Sequence, residues 1–281
     1  MKGLHLEAAG WFDAVDFVLV NPSHPGNVGA VARAMRVMGF ARLSVVAPRY
    51  DEVLTHADAI AFASGAQSVL QQARVVGSLD EALAGVTLAV AVSAAGREFG
   101  PQPQSPEQVV HVIARELRAD PQARAALVFG PERTGLSVEA VSRCQALVSI
   151  PSDADYGSLN LAQAVQVISF CLGQQARGVL GSGDLATHAP AAEPSAQPAA
   201  QPAAQPSAQP SARLASQAAI EGFFEHLQAS LIRLRFLDPA HPKKLMPRLR
   251  RLFGRTRLEV EEVDLLRGIC TQIDKLHDGR R

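Results

Sequence analysis

Three short segments of this 281-residue chain concentrate polar side chains that could bind an anion or another polar ligand. The first begins Asn-Pro-Ser-His-Pro-Gly and contains Asn27 and, further along, Arg33. Amide N–H groups at the start of a helix attract anions, and a guanidinium adds charge and a planar fork of donors. This segment is suited to hold an anion such as a phosphate group.

The second segment, Phe-Gly-Pro-Glu-Arg-Thr-Gly-Leu, follows an apolar run and contains Gly130 and Glu132. A glycine at the end of a strand lets a ligand approach the backbone closely, because it carries no Cβ. The third segment runs from residue 150 to residue 163 and contains Ser158 and Asn160 ahead of a long apolar helix. Serine and asparagine at such positions are also typical helix caps.

Each of these residues also has a structural interpretation. Asn27, Ser158 and Asn160 could serve only as helix caps, Arg33 could be a solvated surface residue, and Glu132 could belong to a plain connection. The third segment, however, contains more polar residues than a helix cap requires. We therefore look for an arrangement that uses all three segments together.

Short apolar runs alternate with segments of helical periodicity before residue 180, which predicts an α/β fold with a mostly parallel sheet and helices on both faces. Several runs are apolar throughout, as expected when both faces of the sheet are covered. The predicted strands are 15–21, 43–47, 87–92, 125–129 and 146–150, and the predicted helices are 26–38, 55–63, 79–84, 105–118, 137–144 and 159–175.

Composition divides the chain into a main domain at 1–180, a linker at 181–213 and a helical extension at 214–281. In the linker, proline recurs every four residues among Ala, Gln and Ser, which predicts a disordered, semi-stiff spacer. Beyond it, the apolar spacing predicts helices at 215–237, 239–253 and 258–276. The extension is therefore expected to be a small all-helical unit.

The formal net charge is zero, with 27 basic and 27 acidic side chains, but the charge is unevenly distributed. Residues 239–258 carry seven basic side chains and no acidic one, a local excess that attracts phosphate. A solvated helix face is the simpler alternative. The seven residues, predicted to bind RNA, are Lys243, Lys244, Arg248, Arg250, Arg251, Arg255 and Arg257.

The cysteine content and the N-terminal segment indicate the cellular compartment in which the protein is expected. Three widely spaced cysteines form neither a disulfide framework nor a metal-binding motif, and no cluster with metal-ligand spacing occurs. The N-terminus lacks the order of a signal peptide, and no apolar run approaches the ~20 residues of a membrane span. We expect a cytoplasmic protein without a metal or a membrane partner.

Read jointly, the three segments resemble the three motifs of the SpoU/TrmH family of SPOUT RNA 2′-O-methyltransferases. The resemblance covers residues 15–175, with the motifs in the family's order. The Ala-rich helix at 159–175 and the C-terminal helices most resemble the TrmJ branch, which methylates tRNA. One departure is that Ala95 and Gly96 precede Arg97, where many members of the branch have an arginine directly after the strand; a substrate role for Arg97 is therefore in doubt.

The resemblance implies a C-terminal trefoil knot in the main domain, an obligate homodimer, S-adenosyl-L-methionine as cofactor and tRNA as substrate. By the family's pattern, Arg33 and Ser158 are the catalytic positions, and Asn27, Glu132 and Asn160 shape the site. The implied cofactor contacts are Val92, Ser93, Ala94, Gly130, Ile150, Gly157, Ser158 and Leu159.

Our hypothesis for the mechanism gives Arg33 a role other than general base, because a guanidinium stays protonated above pH ~12. Arg33 would grip the phosphate beside the target ribose and polarise the 2′-hydroxyl, with Ser158 as a hydrogen-bonding partner. Within the TrmJ branch, the expected target is the first nucleotide of the anticodon loop.

Three alternatives remain at this stage. The chain could methylate ribosomal RNA, or it could be an RNA-binding homologue that has lost catalysis. A nicotinamide-dependent oxidoreductase is compatible with an α/β pattern, but the sequence has neither the GxGxxG fingerprint nor a Walker motif.

Overall fold

The computed structural model describes residues 10–94, 96, 100–153, 157–178 and 213–278. The predicted linker lies outside the described residues except for residue 213, and so does Arg97.

Seven strands among the described residues form one sheet in which every adjacent pair is parallel. Their order across the sheet is β3-β2-β1-β6-β4-β7-β5. Because the strands run in one direction, their carboxyl ends share one edge of the sheet. The strands are β1 (Val15–Val20), β2 (Leu43–Val46), β3 (Arg74–Val76), β4 (Leu88–Val92), β5 (Pro103–Gln104), β6 (Ala125–Phe129) and β7 (Ala146–Val148).

Helices connect the strands and cover the sheet. Before the linker they are α1 (Pro25–Met38), α2 (Ala57–Ala63), α3 (Gln67–Gln72), α4 (Leu79–Leu83), α5 (Pro106–Ala119), α6 (Val138–Ser142) and α7 (Leu161–Ala176), with a 3₁₀ turn at Ser64–Ala66. After it they are α8 (Gln217–Arg233), α9 (Leu245–Gly254) and α10 (Val260–Asp278).

The central strands are buried on both faces. In β1, Phe17 and Leu19 belong to one apolar cluster, whereas Val18 belongs to the cluster on the opposite face. This follows from the period of two along a strand, and it explains why the run is apolar throughout. The sheet is a rigid support for the loops at its carboxyl edge.

Helix α1 begins earlier than a cap at Asn27 would allow. Pro25 occupies the first turn, where a missing N–H costs nothing, and His24 is the N-cap without a side-chain hydrogen bond. The interpretation of Asn27 as a cap is therefore wrong, and its side chain is directed elsewhere. Asn160, in contrast, does cap its helix: its Oδ1 accepts from the N–H of Ala162 over 2.9 Å.

The sequence prediction missed two edge strands and the short helix α3, and it placed the start of one later helix too early. The strands β3 and β5 are short and lie at the two edges of the sheet, so neither produces a long apolar run. The predicted helix at 239–253 begins only at Leu245. Asp238 accepts a hydrogen bond from the N–H of Ala240 and Lys243 has a φ of 48°, so residues 238–244 form a turn instead.

The C-terminal helices have an apolar cluster of their own and also dock on the sheet domain. Phe223 and Phe224 are buried within that cluster. Gln217 connects the two parts: its N–H donates to the carbonyl of Val86 over 2.8 Å, and its Oε1 accepts from Gln145 over 2.7 Å. Gln145 in turn accepts from the N–H of Ala89 in β4.

Candidate active site

The three polar segments follow strands whose carboxyl ends lie at the same edge of the sheet. The segment containing Asn27 follows β1, the segment containing Glu132 follows β6, and the segment containing Ser158 follows β7. Strand β6 pairs with both β1 and β4, and β4 pairs with β7, so these loops are neighbours in space. Open parallel sheets bind their ligands at such an edge.

A hydrogen-bond chain joins all three segments. Oε1 of Glu132 accepts from Nδ2 of Asn27 over 2.8 Å, and Oδ1 of Asn27 accepts from Nδ2 of Asn160 over 3.2 Å. The other carboxylate oxygen, Oε2, accepts from the hydroxyl of Ser23 over 2.6 Å and from its backbone N–H over 3.0 Å. The chain therefore fixes the first loop to the second and the second, through Asn27, to the third.

The order of donors and acceptors in this chain follows from the charge of Glu132. An ionised carboxylate only accepts hydrogen bonds, so Asn27 must direct its NH₂ group at Glu132 and its carbonyl oxygen at Asn160. Asn160 then donates its own NH₂ group to Asn27, which leaves its Oδ1 for the first turn of α7. The carboxylate thus determines the orientation of two amides and a helix cap.

The same contacts set the protonation of Glu132. Burial acts to raise the pKa of this carboxyl, but the hydrogen bonds from Ser23 and Asn27 outweigh it and hold the pKa below the usual value for glutamate. Glu132 is ionised at neutral pH and acts here as an acceptor that organises the loops.

Next to this chain lies a cavity of about 300 Å³ at the carboxyl ends of β4, β6 and β7. Its size falls at the lower end of the range found for small-molecule sites, about 300–1,000 Å³. The third loop, the turn after β6 and the end of β4 form its walls. All eight residues implied as cofactor contacts line it: Val92, Ser93, Ala94, Gly130, Ile150, Gly157, Ser158 and Leu159.

Gly130 forms a tight part of the cavity wall. A Cβ atom on Gly130 would overlap the backbone of Gly135 and Leu136, which fold back over it. Only glycine therefore permits this turn, which leaves the backbone at the cavity bare of a side chain.

Arg33 and Ser158 differ in their relation to the cavity. Ser158 is exposed and lines it. Arg33 lies on the exposed face of α1 and outside the cavity lining, and it makes no hydrogen bond or ion pair with any other described residue. Helix α1 packs against α2 and α7, so Arg33 is carried by the same rigid helix as Asn27. Its guanidinium is available to a ligand.

Ser23, Arg133 and Thr134 are site residues that sequence reasoning missed. Ser23 holds Glu132, whereas Arg133 and Thr134 are exposed residues in the cavity lining. A serine between two loop prolines gives no periodic signal, and only its proximity to a motif could have drawn attention to it.

The basic stretch divides into two groups. Arg250 donates to both carboxylate oxygens of Glu221 at 2.7 Å and stacks over Phe224, and Arg257 pairs with the buried Glu116. These two arginines hold the extension together and attach it to α5, which gives them a structural role, and their binding of RNA stays a prediction. Four others, Lys243, Lys244, Arg248 and Arg255, are exposed, and Arg251 is partly buried.

Two properties of the described residues concern metal binding and membrane insertion. They contain no group of His, Cys, Asp and Glu side chains that could hold a metal ion. None of their helices has the length and apolar character that crossing a bilayer requires.

Comparisons with known proteins agree with this geometry. The model of the SpoU rRNA methylase family matches residues 14–170, and the model of the C-terminal domain of the tRNA methyltransferase TrmJ matches residues 218–281. The tRNA (cytidine/uridine/adenosine-2′-O-)-methyltransferase TrmJ of Pseudomonas aeruginosa strain UCBPP-PA14 is 38% identical over 267 residues, which is 95% of this chain and 96% of that protein.

Two solved structures are similar as well. TrmJ from Z. mobilis ZM4 superposes with a TM-score of 0.72 at 26% identity, covering 92% of this chain and 98% of that one. A probable methyltransferase from Bordetella pertussis Tohama I gives a TM-score of 0.57 at 40% identity, covering 60% of this chain and 99% of that one.

The parallel sheet and its three joined loops define a methylase of the SpoU class, whose members are RNA methyltransferases. The match at the C-terminal helices narrows this assignment. The chain belongs to the TrmJ family within that class.

Proposed function

We propose that this protein is an S-adenosyl-L-methionine-dependent tRNA 2′-O-ribose methyltransferase that acts on cytidine or uridine at the first nucleotide of the anticodon loop. The observation that carries the proposal is the hydrogen-bond chain from Glu132 through Asn27 to Asn160. It joins the loops after β6 and β7, which line the cavity, to the loop after β1, from which the helix carrying Arg33 begins. This arrangement suits a reaction that mainly positions two reactants.

The cavity fits a methyl donor of this kind in three respects. Its volume is in the range of a small-molecule site, and Gly130 permits the tight turn that forms part of its wall. Ile150 and Leu159 also line the cavity, and their backbone groups would hydrogen-bond the adenine of the methyl donor. When bound, S-adenosyl-L-methionine supplies an electrophilic methyl group on a cationic sulfonium.

The chain's own residues then have separate tasks. Arg33 binds the phosphate beside the target ribose and polarises the 2′-hydroxyl, because its guanidinium stays protonated and cannot accept the proton. Ser158, in the cavity lining, hydrogen-bonds the same hydroxyl. The proton of the 2′-hydroxyl would pass to water or to the adjoining phosphate. Glu132 holds Asn27 and the loops in place.

Transfer RNA is favoured as the substrate by the relatives and by charge. The curated relatives methylate tRNA by name, and the C-terminal match extends this likeness over the helical extension. Exposed cations at Lys243, Lys244 and Arg255 provide the electrostatic attraction that phosphates require. The 2′-hydroxyl itself restricts the substrate to RNA.

We also propose that the protein is a homodimer. Large apolar side chains are exposed on three helices that pack together: Val37 on α1, Phe62 on α2 and Phe170 on α7. Exposed apolar groups of this size mark interaction surfaces. A dimer through this surface would place Arg33, which lies on α1, close to the partner. Light scattering of the purified protein should give twice the chain mass.

Two further parts of the proposal concern topology and compartment. The insertion of β6 between β1 and β4, and the return of α7 onto α1, support the knot implied by the family.

The three free cysteines support a reducing, cytoplasmic compartment.

The test is a methyl-transfer assay with labelled S-adenosyl-L-methionine and two substrates, total tRNA and ribosomal RNA. We expect label in tRNA and none in ribosomal RNA. Label in ribosomal RNA alone would support the other activity of the class. Binding of RNA without binding of S-adenosyl-L-methionine, measured by calorimetry, would identify a non-catalytic RNA-binding homologue and overturn the proposal.

A further inference from the structure

The turn between α8 and α9 presents an exposed aromatic ring beside a group of cations. Phe236 is 69% exposed, the largest exposed fraction among the exposed large apolar side chains of the described residues. It lines a cavity of about 620 Å³ together with Lys243, Lys244 and Arg248. This cavity lies in the helical extension, apart from the one lined by Gly130.

The backbone holds Phe236 in a fixed position. Arg235 has a φ of 56°, which ends α8, and the N–H groups of Phe236 and Leu237 both donate to the carbonyl of Leu231, at 3.0 and 3.1 Å. Leu237 is buried and anchors the turn. The ring is therefore exposed although its backbone is ordered, which lowers the entropic cost of binding a partner.

The remaining wall of the cavity is also ordered. Asp238 accepts from the N–H of Ala240 over 2.9 Å and lies 3.2 Å from Nδ1 of His241. The carboxylate is occupied by its own turn, and the other charged groups in the lining are cations. The cavity thus has one aromatic ring, a positive rim and a volume that can contain a nucleobase.

We propose that this cavity binds an unpaired nucleobase of the RNA substrate, with Phe236 stacking on the base and Lys243, Lys244 and Arg248 contacting the adjoining phosphates. Aromatic rings stack on unpaired bases of every type, and cations beside them follow the backbone. A protein partner fits less well, because lysine is depleted at protein–protein interfaces. The inference rests on the proposed function, since it requires RNA as the substrate.

A groove continues from this cavity along α9. Arg248 lines both, and Arg251, Leu252 and Arg255 form the rest of the groove. A nucleotide stacked on Phe236 would therefore be followed by a path for the adjoining phosphates. An unpaired segment, such as a loop, can present a base to Phe236, whereas the bases of a duplex are stacked within it.

The test compares binding of two probes by the full-length protein: an RNA hairpin with the anticodon-loop sequence, and a blunt RNA duplex of similar length. Fluorescence anisotropy gives Kd for Phe236→Ala, Phe236→Leu and Phe236→Tyr. Loss of one base-stacking contact predicts about 5- to 150-fold weaker hairpin binding for Ala, and a similar loss for Leu, which lacks the ring. Tyr should bind as the wild type does, and the duplex should be unaffected by all three variants.

Leu265→Ala is the matched control, because Leu265 is 64% exposed on α10 and lies outside the cavity. It should bind both probes normally. Phe236→Ala should keep the salt dependence of the wild type, whereas the double variant Lys243→Ala and Lys244→Ala should flatten it. The stacking proposal is overturned if Phe236→Ala binds the hairpin as the wild type does, or if Phe236→Leu does so.

Two outcomes separate this inference from the proposed function. If the wild type methylates tRNA and Phe236→Ala binds RNA as tightly as the wild type does, only the proposal of a stacking site is wrong. If the wild type neither binds nor methylates tRNA, the proposed function fails as well. A change in molecular mass on Phe236→Ala, with RNA binding intact, would assign the ring to a contact between copies of the chain and would also overturn the inference.

Discussion

Asn27 donates a hydrogen bond of 2.8 Å to Glu132, although 105 residues separate the two along the chain. This contact joins the loop after β1 to the loop after β6. Because the carboxylate can only accept, it also determines which end of the Asn27 amide faces Asn160. The organisation of the site therefore depends on one charged group that need not touch the substrate.

Replacement of Arg33 tests its role in catalysis. Arg33→Ala should lower kcat by about 100- to 1,000-fold, the usual effect of removing one donor that stabilises developing charge. The free energy of unfolding of this variant should differ from that of the wild type by no more than about 0.5 kcal/mol, because Arg33 is exposed. Single-turnover kinetics with saturating tRNA measures the effect.

Arg36→Ala is the matched control for this variant. Arg36 is exposed on the same helix, three residues further on, and should retain activity. Near-normal turnover by Arg33→Ala, with normal RNA binding, would remove Arg33 from the mechanism.

The pKa of Glu132 gives the site a defined response to acid. Since that pKa is lower in the folded chain than its usual value of about 4.3, ionisation of Glu132 stabilises the fold above that value. The contribution is lost as the pH falls through the folded pKa. The difference in free energy of unfolding between the wild type and Glu132→Gln should therefore shrink as the pH falls below about 4.3 and through the lower pKa of the folded chain.

Ser23→Ala should move this loss to higher pH, because it removes a hydrogen bond that lowers the pKa of Glu132. Ser68→Ala, at an exposed position on α3, is the control and should follow the wild type. Identical pH curves for Ser23→Ala and the wild type would show that the Ser23 hydroxyl does not hold the carboxylate.

Gly130→Ala tests the cavity wall. The added methyl group would displace the turn at Gly135 and Leu136, so affinity for S-adenosyl-L-methionine should fall by at least about tenfold, equivalent to 1.4 kcal/mol. Isothermal titration calorimetry measures it. Gly85→Ala, where a Cβ meets nothing within 4 Å, should bind as the wild type does. Equal affinity of the Gly130 variant would place the methyl donor elsewhere.

Substitutions in the two groups of basic residues should have different effects on tRNA binding and on stability. Arg255→Ala combined with Lys243→Ala should weaken tRNA binding and reduce its salt slope by about 0.7–0.9 per lost phosphate contact. Arg250→Ala should instead destabilise the C-terminal helices by about 3 kcal/mol, because it leaves Glu221 buried without its partner. Thermal unfolding distinguishes them. An unchanged melting curve for Arg250→Ala would contradict the structural role.

The sequence predicted the central strands and the three loops because long apolar runs and turn residues carry local signals. It missed β3 and β5, since short edge strands need no apolar run. It also could not assign Arg250 or Arg257: one-dimensional charge counts do not reveal that Glu221 and Glu116 lie opposite them. Pairings across long separations become visible only in the folded chain.

The same limit applies to the site. The combination of three motifs singled out Arg33, Glu132 and Ser158 as candidates, whereas the role of Ser23 required the structure. Asn27 was found but its capping role was wrong, because Pro25 starts the helix one turn earlier. Polar residues in irregular loops follow no sequence periodicity, so the sequence does not predict which residues they contact.

The most direct test of the account is to map the methyl group that the wild-type protein transfers. Total tRNA is incubated with the protein and labelled S-adenosyl-L-methionine, digested, and analysed by mass spectrometry. We expect label on the ribose 2′-oxygen of the first nucleotide of the anticodon loop, and none on a synthetic tRNA in which that nucleotide is 2′-deoxy. Label on a base, or no transfer by a protein that binds both reactants, would contradict it.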